Sequence, residues 1–208
     1  MSARRAPRPE ERGRAAEQTR QRILDAAMAE FGAKGYAGAR TAGIAAGAGV
    51  NPQLISYYFG GKQGLLDELR RRWQDIEASL AAPDTSFGAS VAGYLDATLD
   101  RPDWARLVIW QALGDCPFAD AEEGERHAQA LRARLAKAVQ RIRERQHTGE
   151  VTADVDPQFA LLVTYAVLFS PIALPQFVRE LLGDDPLSPV VRARLHDQLL
   201  KLLGAAED

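Results

Sequence analysis

GAGVNPQLISYYFGGK, residues 47 to 62, is a sixteen-residue stretch that carries a single formal charge, at Lys62. Two short helices that meet at a tight corner need a small residue where they cross. They also need a Gly at a turn position of positive φ, and apolar residues that lock the second helix onto the first. Residues 41 to 60 supply these in order: Ile44 for the core, Ala45 for close approach, Ala48 to close the first helix, Gly49 for the turn, then Val50, Ile55 and Tyr58 or Phe59 as the lock. Asn51 is a good N-cap, and Pro52 suits the first helical position, where its missing N–H costs nothing. Gln53, Ser56 and Tyr57 are left facing outward. The pattern predicts a helix-turn-helix with helices at about 41 to 48 and 52 to 58.

An outward surface of Gln, Ser and Tyr fits a DNA groove. Gln pairs with adenine in a bidentate way, Ser bonds several base edges, and a Tyr hydroxyl reaches phosphate. The charge distribution agrees with that direction of approach. Residues 1 to 62 hold ten basic and five acidic side chains, a balance of +5, whereas the remainder holds 16 basic against 23 acidic, a balance of −7. One end is attracted to a polyanion and the rest is repelled by it. Lys62 begins the next helix, so its ammonium and the helix N-terminal N–H groups are expected to hold the same phosphate.

Working outward, nearly every long segment repeats with a period near 3.6, and strand-like alternation is hard to find. The chain is expected to be all-α. Residues 17 to 34 form the first helix, with Ile23, Leu24, Ala27, Met28 and Phe31 on one face and Gly35 as its stop. A fourth helix is expected over 62 to 81, and others over 86 to 100, 103 to 115, 122 to 147, 157 to 181 and 188 to 203. The first 16 residues read as a disordered basic arm with no apolar stretch behind it. Residues 157 to 178 run for 22 residues without a charge. Pro171, Pro175 and several polar residues within them favour a helix buried in a bundle or a subunit interface over a membrane span.

The segments TRQRILDAAMAEFGAKGY, 19 to 36, and IAAGAGVNPQLISYYFGGKQGLLDEL, 44 to 69, resemble the N-terminal domain of the TetR family of bacterial transcriptional regulators. The resemblance implies a nine-helix fold: a DNA-binding domain over 17 to 61 after the arm of 1 to 16, then a ligand-binding and dimerising domain over 62 to 208. It implies phosphate contacts from Thr41, Tyr57 and Lys62 and a base contact from Gln53. With Asn51, Pro52 and Ser56 these make up the expected DNA-binding set. The sequence departs from the family pattern at Ala42, Gly43, Ala46 and Gly47, where such proteins usually carry polar or charged residues, and at Ser56, which replaces a more usual aromatic.

The larger part of the chain offers a candidate effector site of aromatic and polar side chains: Phe87, Tyr94, Trp104, Trp110, Gln111, Phe118, His127, Tyr165 and Phe169. Phe169, Ile172 and Gln176, together with Val191, Leu195, Leu199 and Leu202 on one face of the last helix, are the expected homodimer interface. A dimer reads a palindrome with half-sites about 34 Å apart or a multiple of that. The expected function is a cytoplasmic, sequence-specific regulator, a repressor released from its double-stranded operator DNA by a small-molecule effector. Catalysis, cofactor, metal and membrane are not expected: His127, His147 and His196 lack ligand spacing, Cys116 is the only cysteine, and no nucleophile motif is present. The rival reading is a helical adaptor that keeps the fold but lacks salt-dependent DNA affinity.

Overall fold

The computed structural model describes residues 9 to 80, 82, 85 to 115 and 121 to 205, with side chains from residue 13 onward. Among them are ten α-helices and no strand: α1 (Pro9–Gly38), α2 (Thr41–Ala48), α3 (Gln53–Phe59), α4 (Lys62–Leu80), α5 (Phe87–Leu99), α6 (Pro102–Ala112), α7 (Ala121–His147), α8 (Pro157–Ala173), α9 (Pro175–Leu182) and α10 (Pro189–Leu202). Two compact units divide between Asp75 and Ile76, inside α4. The first three turns of α4 therefore belong with the helix-turn-helix, where the expected boundary stood at Lys62. Their leucines explain it, because Leu65, Leu66 and Leu69 are buried in the first unit's core with Ile23, Leu24, Ala27, Phe31, Ile44 and Ile55. Met28, expected on the same face of α1, is half-buried.

α1 begins at Pro9, so the second half of the expected arm is helical; residues 1 to 8 lie outside the described residues. Pro at a first helical position followed by Glu, Arg and Ala favours a helix, which the reading of that segment by composition had passed over. Gly35 interrupts the helix with φ 66 and ψ 178, and a last turn continues to Gly38.

In the second unit α5, α7, α8 and α10 gather Phe87, Val91, Leu95, Leu99, Ile142, Ala160, Leu168, Leu199 and Leu200 into one core. α8 is pinned at its start by Asp156, whose carboxylate accepts from the N–H groups of Gln158 and Phe159 at 2.9 and 3.0 Å. Pro171 removes the N–H that would reach the Val167 carbonyl. Ser170 Oγ donates to that carbonyl at 2.9 Å and keeps the helix going. The single helix expected over 157 to 181 is instead two, which raises the count from nine to ten. Pro175 pushes the preceding Leu174 out of helical conformation (φ −132, ψ 51), and α8 and α9 meet at 95°. Among the described residues no single helix is long and apolar enough to cross a membrane. Across the bundle, Arg192 of α10 bridges Asp96 of α5 and Asp100, which caps that helix, each at 2.6 Å.

At the junction of α3 and α4, a Cβ on Gly64 would lie 1.7 Å from the Phe59 carbonyl oxygen, so any side chain there forces the two helices apart. Gly64→Ala is expected to lower the unfolding free energy by about 2 kcal/mol or more, read from the urea midpoint at unchanged m-value.

Candidate functional site

The corner between α2 and α3 is built as a backbone device. Gly49 takes φ 64 and ψ 41, the left-handed conformation that closes α2. Its N–H bonds the Ala46 carbonyl at 3.1 Å, and the Val50 N–H reaches back to Ala45 at 3.0 Å. Asn51 Oδ1 accepts from the Gln53 N–H at 2.9 Å, and Pro52 is already helical with φ −52. Behind the corner, Cβ atoms at Gly43 and Gly47 would crowd Glu30 (2.8 Å) and the Ala26 Cβ (3.3 Å) of α1. The two glycines that depart from the family pattern thus occupy the crossing of α2 on α1. Close approach there replaces the polar contacts such positions otherwise offer.

The opposite face of this corner is exposed. Thr41, Asn51, Pro52, Gln53, Ser56 and Tyr57 all lie at the surface, and Tyr57 retains 78% of its accessible area. Ile55 is buried beneath them. Tyr57 and Tyr58 rings meet edge-on at 5.0 Å, which restrains the exposed ring. Lys62, half-buried at the first position of α4, holds its ammonium 4.3 Å above the Tyr36 ring, and the Tyr36 hydroxyl donates to Gln63 at 3.0 Å. Arg20 covers the Phe59 ring at 4.8 Å and donates to the Tyr58 carbonyl at 3.2 Å. The sequence reading had not singled out Arg40, an exposed cation one residue before Thr41; adjacency to that residue was the available signal.

In the second unit, α5, α7, α8 and the end of α4 enclose a cavity of about 60 Å³. Of the expected effector residues it brings together Phe87, Tyr94 and Tyr165, and Phe169 stacks on Tyr165 at 6.3 Å. Trp104 is buried on α6, while Trp110, exposed, and Gln111 lie further along the same helix. His127 is half-buried on α7, and none of these four lines the cavity. Phe118 lies outside the described residues. The sequence reading missed Arg141 and Arg145, which line the cavity one turn apart on α7. Burial, with the nearby Glu77 carboxylate adding to it, pushes the Tyr94 hydroxyl up to about 12, and burial likewise raises Tyr165.

Comparison with known proteins turns this geometry into an assignment. Residues 23 to 69 match the model of the bacterial regulatory proteins of the tetR family, and residues 88 to 197 match that of the tetracyclin repressor-like C-terminal domain. The chain belongs to the TetR family. It is a DNA-binding transcriptional regulator. The HTH-type transcriptional repressor SCO4008 of Streptomyces coelicolor is 32% identical over 80% of this chain and 85% of its own length. The HTH-type transcriptional regulator SrpR of Pseudomonas putida is 31% identical over 70% of each. The crystal structure of the putative transcriptional regulator SCO4942 from Streptomyces coelicolor shares the fold, with a TM-score of 0.69 at 24% identity, over 90% of this chain and 99% of that one.

In this TetR-family chain the residues expected at a dimer interface divide. Val191 and Leu199 are each 1% exposed, while Leu195, Phe169 and Ile172 are half-buried and pack in part against the core of the second unit. Gln176 and Leu202 are at the surface. The apolar face that α8 leaves in water runs through Phe159, 58% exposed, Leu162, 63% exposed, Ala166 and Ala173. Helical periodicity alone does not say which of two apolar faces is turned inward.

α4 is tied to α1 by polar contacts as well as by its leucines. Arg72 donates to Gln21 at 2.7 Å and to Glu68 at 3.0 Å, and Arg71 donates to the same carboxylate at 2.9 Å. The hydrogen bond from Arg71 holds the Glu68 carboxyl below its ordinary value of 4.5; burial opposes the shift and Arg72 reinforces it. A lowered carboxyl contributes stability above its unfolded-state value and loses it as pH falls through the folded one. Glu68→Gln is therefore expected to be less stable than wild type at neutral pH. The two should converge as pH drops below 4.5, as followed by urea unfolding across that range.

Proposed function

We propose that this regulator is a repressor that binds a palindromic operator as a homodimer and is released when a small molecule occupies the cavity between α5, α7 and α8. The observation that carries the DNA half is the exposed, uncharged Gln53, Ser56 and Tyr57 face of a helix held in place by the Gly49 corner. Gln53 and Ser56 read bases, Thr41 and Tyr57 hold phosphates beside them, and Asn51 and Pro52 set the angle of the helix. Lys62 supplies a phosphate contact where the free N–H groups of α4 add to its charge. The Tyr36 ring fixes where that ammonium sits without neutralising it. The repressor assignment draws support from the names of SCO4008 and of NicS from Pseudomonas putida, the latter 29% identical over 67% of this chain; both are HTH-type transcriptional repressors. The protein acts in the cytoplasm, where its operator is, and no catalytic step is part of this reading.

Release works through α4, one helix that starts at Lys62 and ends at Leu80, a lining residue of the cavity. A cavity of about 60 Å³ is far below the roughly 300 to 1,000 Å³ that encloses a drug-sized ligand, so occupancy has to open it. An effector that fits only the opened form has different affinities for the two states, which is the condition for it to shift an equilibrium. The face of α8 through Phe159 and Leu162, with Leu202 and Gln176, joins the two subunits and couples the two recognition helices.

Selection from a random DNA pool, followed by titration of the winning sequence at several salt concentrations, tests the reading; failure to enrich a palindrome removes it. Gln53→Ala should cost about 1 to 3 kcal/mol at one base position and relax specificity there. Lys62→Ala should weaken all sequences alike and reduce the salt slope by about one. Leu162→Asp is expected to give a folded monomer by sedimentation, with operator affinity lost along with the second half-site contact.

A further inference from the structure

The charges around the cavity do not cancel. Arg145 is paired with Glu150 at 3.4 Å and donates to the Thr85 carbonyl and Ser90 Oγ, at 2.8 and 3.1 Å. Arg134 is paired with Glu77 at 3.1 Å. Arg141, half-buried and lining the cavity between those two pairs along α7, makes no ion pair and no hydrogen bond with any described residue. The hydroxyls of Tyr94 and Tyr165, on the cavity wall, likewise bond to no described residue, whereas Ser90 and Thr164 are already engaged. The polar groups left to a ligand are thus one guanidinium and two hydroxyls. Burial holds those hydroxyls in the protonated, donating form. A set of donors with one surplus positive charge is complementary to an acceptor with one negative charge. A neutral or cationic guest would leave the guanidinium half-buried without compensation.

As it stands the cavity has room for no more than a head group, so a larger ligand has to open it past Tyr165. Leu161 and Tyr165 on its wall also line a more open depression of about 510 Å³ between α7 and α8, where Leu135, Ala136 and Val139 of α7 provide an apolar surface. We propose that the effector is an amphipathic organic anion, a carboxylate whose head pairs with Arg141 and bonds Tyr94 and Tyr165, and whose apolar body passes Tyr165 into the depression between α7 and α8. This rests on the reading of the cavity as the effector site. It adds the chemical class of the ligand and names Arg141 as the residue that selects it. Arg143, exposed at the rim of the depression, is the competing cation and serves as the control.

The test is calorimetric titration of the full chain with octanoate and with octanamide, which has the same chain and no charge, each paired with operator binding at saturating ligand. Octanoate is expected to bind roughly tenfold tighter or better than octanamide. Arg141→Gln should erase that preference at an unchanged ligand-free melting temperature, Arg141→Lys should keep part of it, and Arg143→Gln should leave it intact. Equal binding of the two compounds, binding of neither, a preference that survives in Arg141→Gln, or one lost in Arg143→Gln would overturn the proposal. Two further results separate it from the effector reading. Octanoate held through Arg141 with operator affinity unchanged keeps the anion site and removes its regulatory role. Release of the operator by octanamide as readily as by octanoate keeps the regulatory cavity and removes the anion.

Discussion

The Phe59 carbonyl at the end of α3 occupies the space that a side chain on residue 64 would fill, and the DNA-facing part of the molecule depends on that closeness. With only a hydrogen at Gly64, α4 begins against the end of the recognition helix. Lys62 and Gln63 then come within reach of Tyr36, and Leu65 and Leu66 enter the core of the first unit. Gly43 and Gly47 do the same work between α2 and α1. Backbones this close leave few ways for the helices to slide, because interiors packed at crystal-like density deform in steps and not continuously. A rigid corner suits base reading, which needs side chains presented at fixed positions.

The same packing lets the reading surface be almost uncharged. In the proposed reading, affinity for a polyanion comes from Lys62 and the phosphate contacts of Thr41 and Tyr57, while Gln53 and Ser56 supply contacts that differ between bases. Separating the two roles keeps specificity from being swamped by attraction that every sequence would share. The acidic balance of the remainder opposes adsorption of the second unit on DNA.

In the second unit the interior is organised around α8, a helix with no charged residue and with apolar side chains on nearly all sides. One side, Ala160, Thr164, Leu168 and Pro171, is closed into the core, and another, Phe159 and Leu162, is left open. Tyr165 lies between the two and belongs both to the cavity and to the depression beside it. Cavity, apolar exterior face and core therefore meet in one helix.

Local rules were enough for the elements themselves. Gly49, Asn51 and Pro52 specify the corner through backbone conformation and neighbouring hydrogen bonds, and both capping and positive φ are decided within a few residues. The period of the apolar residues placed most helices to within a turn. It failed where a local signal was given too little weight, as at Pro175, which breaks the uncharged segment in two by constraining Leu174. Which apolar face of α8 or α10 turns inward was different: both faces satisfy the same periodicity, and only the packing of α10 on α5 and α8 buried Val191 and Leu199, while Phe159 and Leu162 stayed in water. Of the nine residues expected at the effector site, Phe87, Tyr94 and Tyr165 line the cavity, and the charge of that cavity was not legible. Arg141 and Arg145 look alike in the sequence, four residues apart on one helix; what separates them is that Glu150 folds back onto one and, among the described residues, no carboxylate pairs with the other. The sequence by itself determined the helices and the corner, because those are set by bonds between near neighbours. The cavity's surplus charge was decided by the tertiary structure alone, because pairing is a property of distance in space.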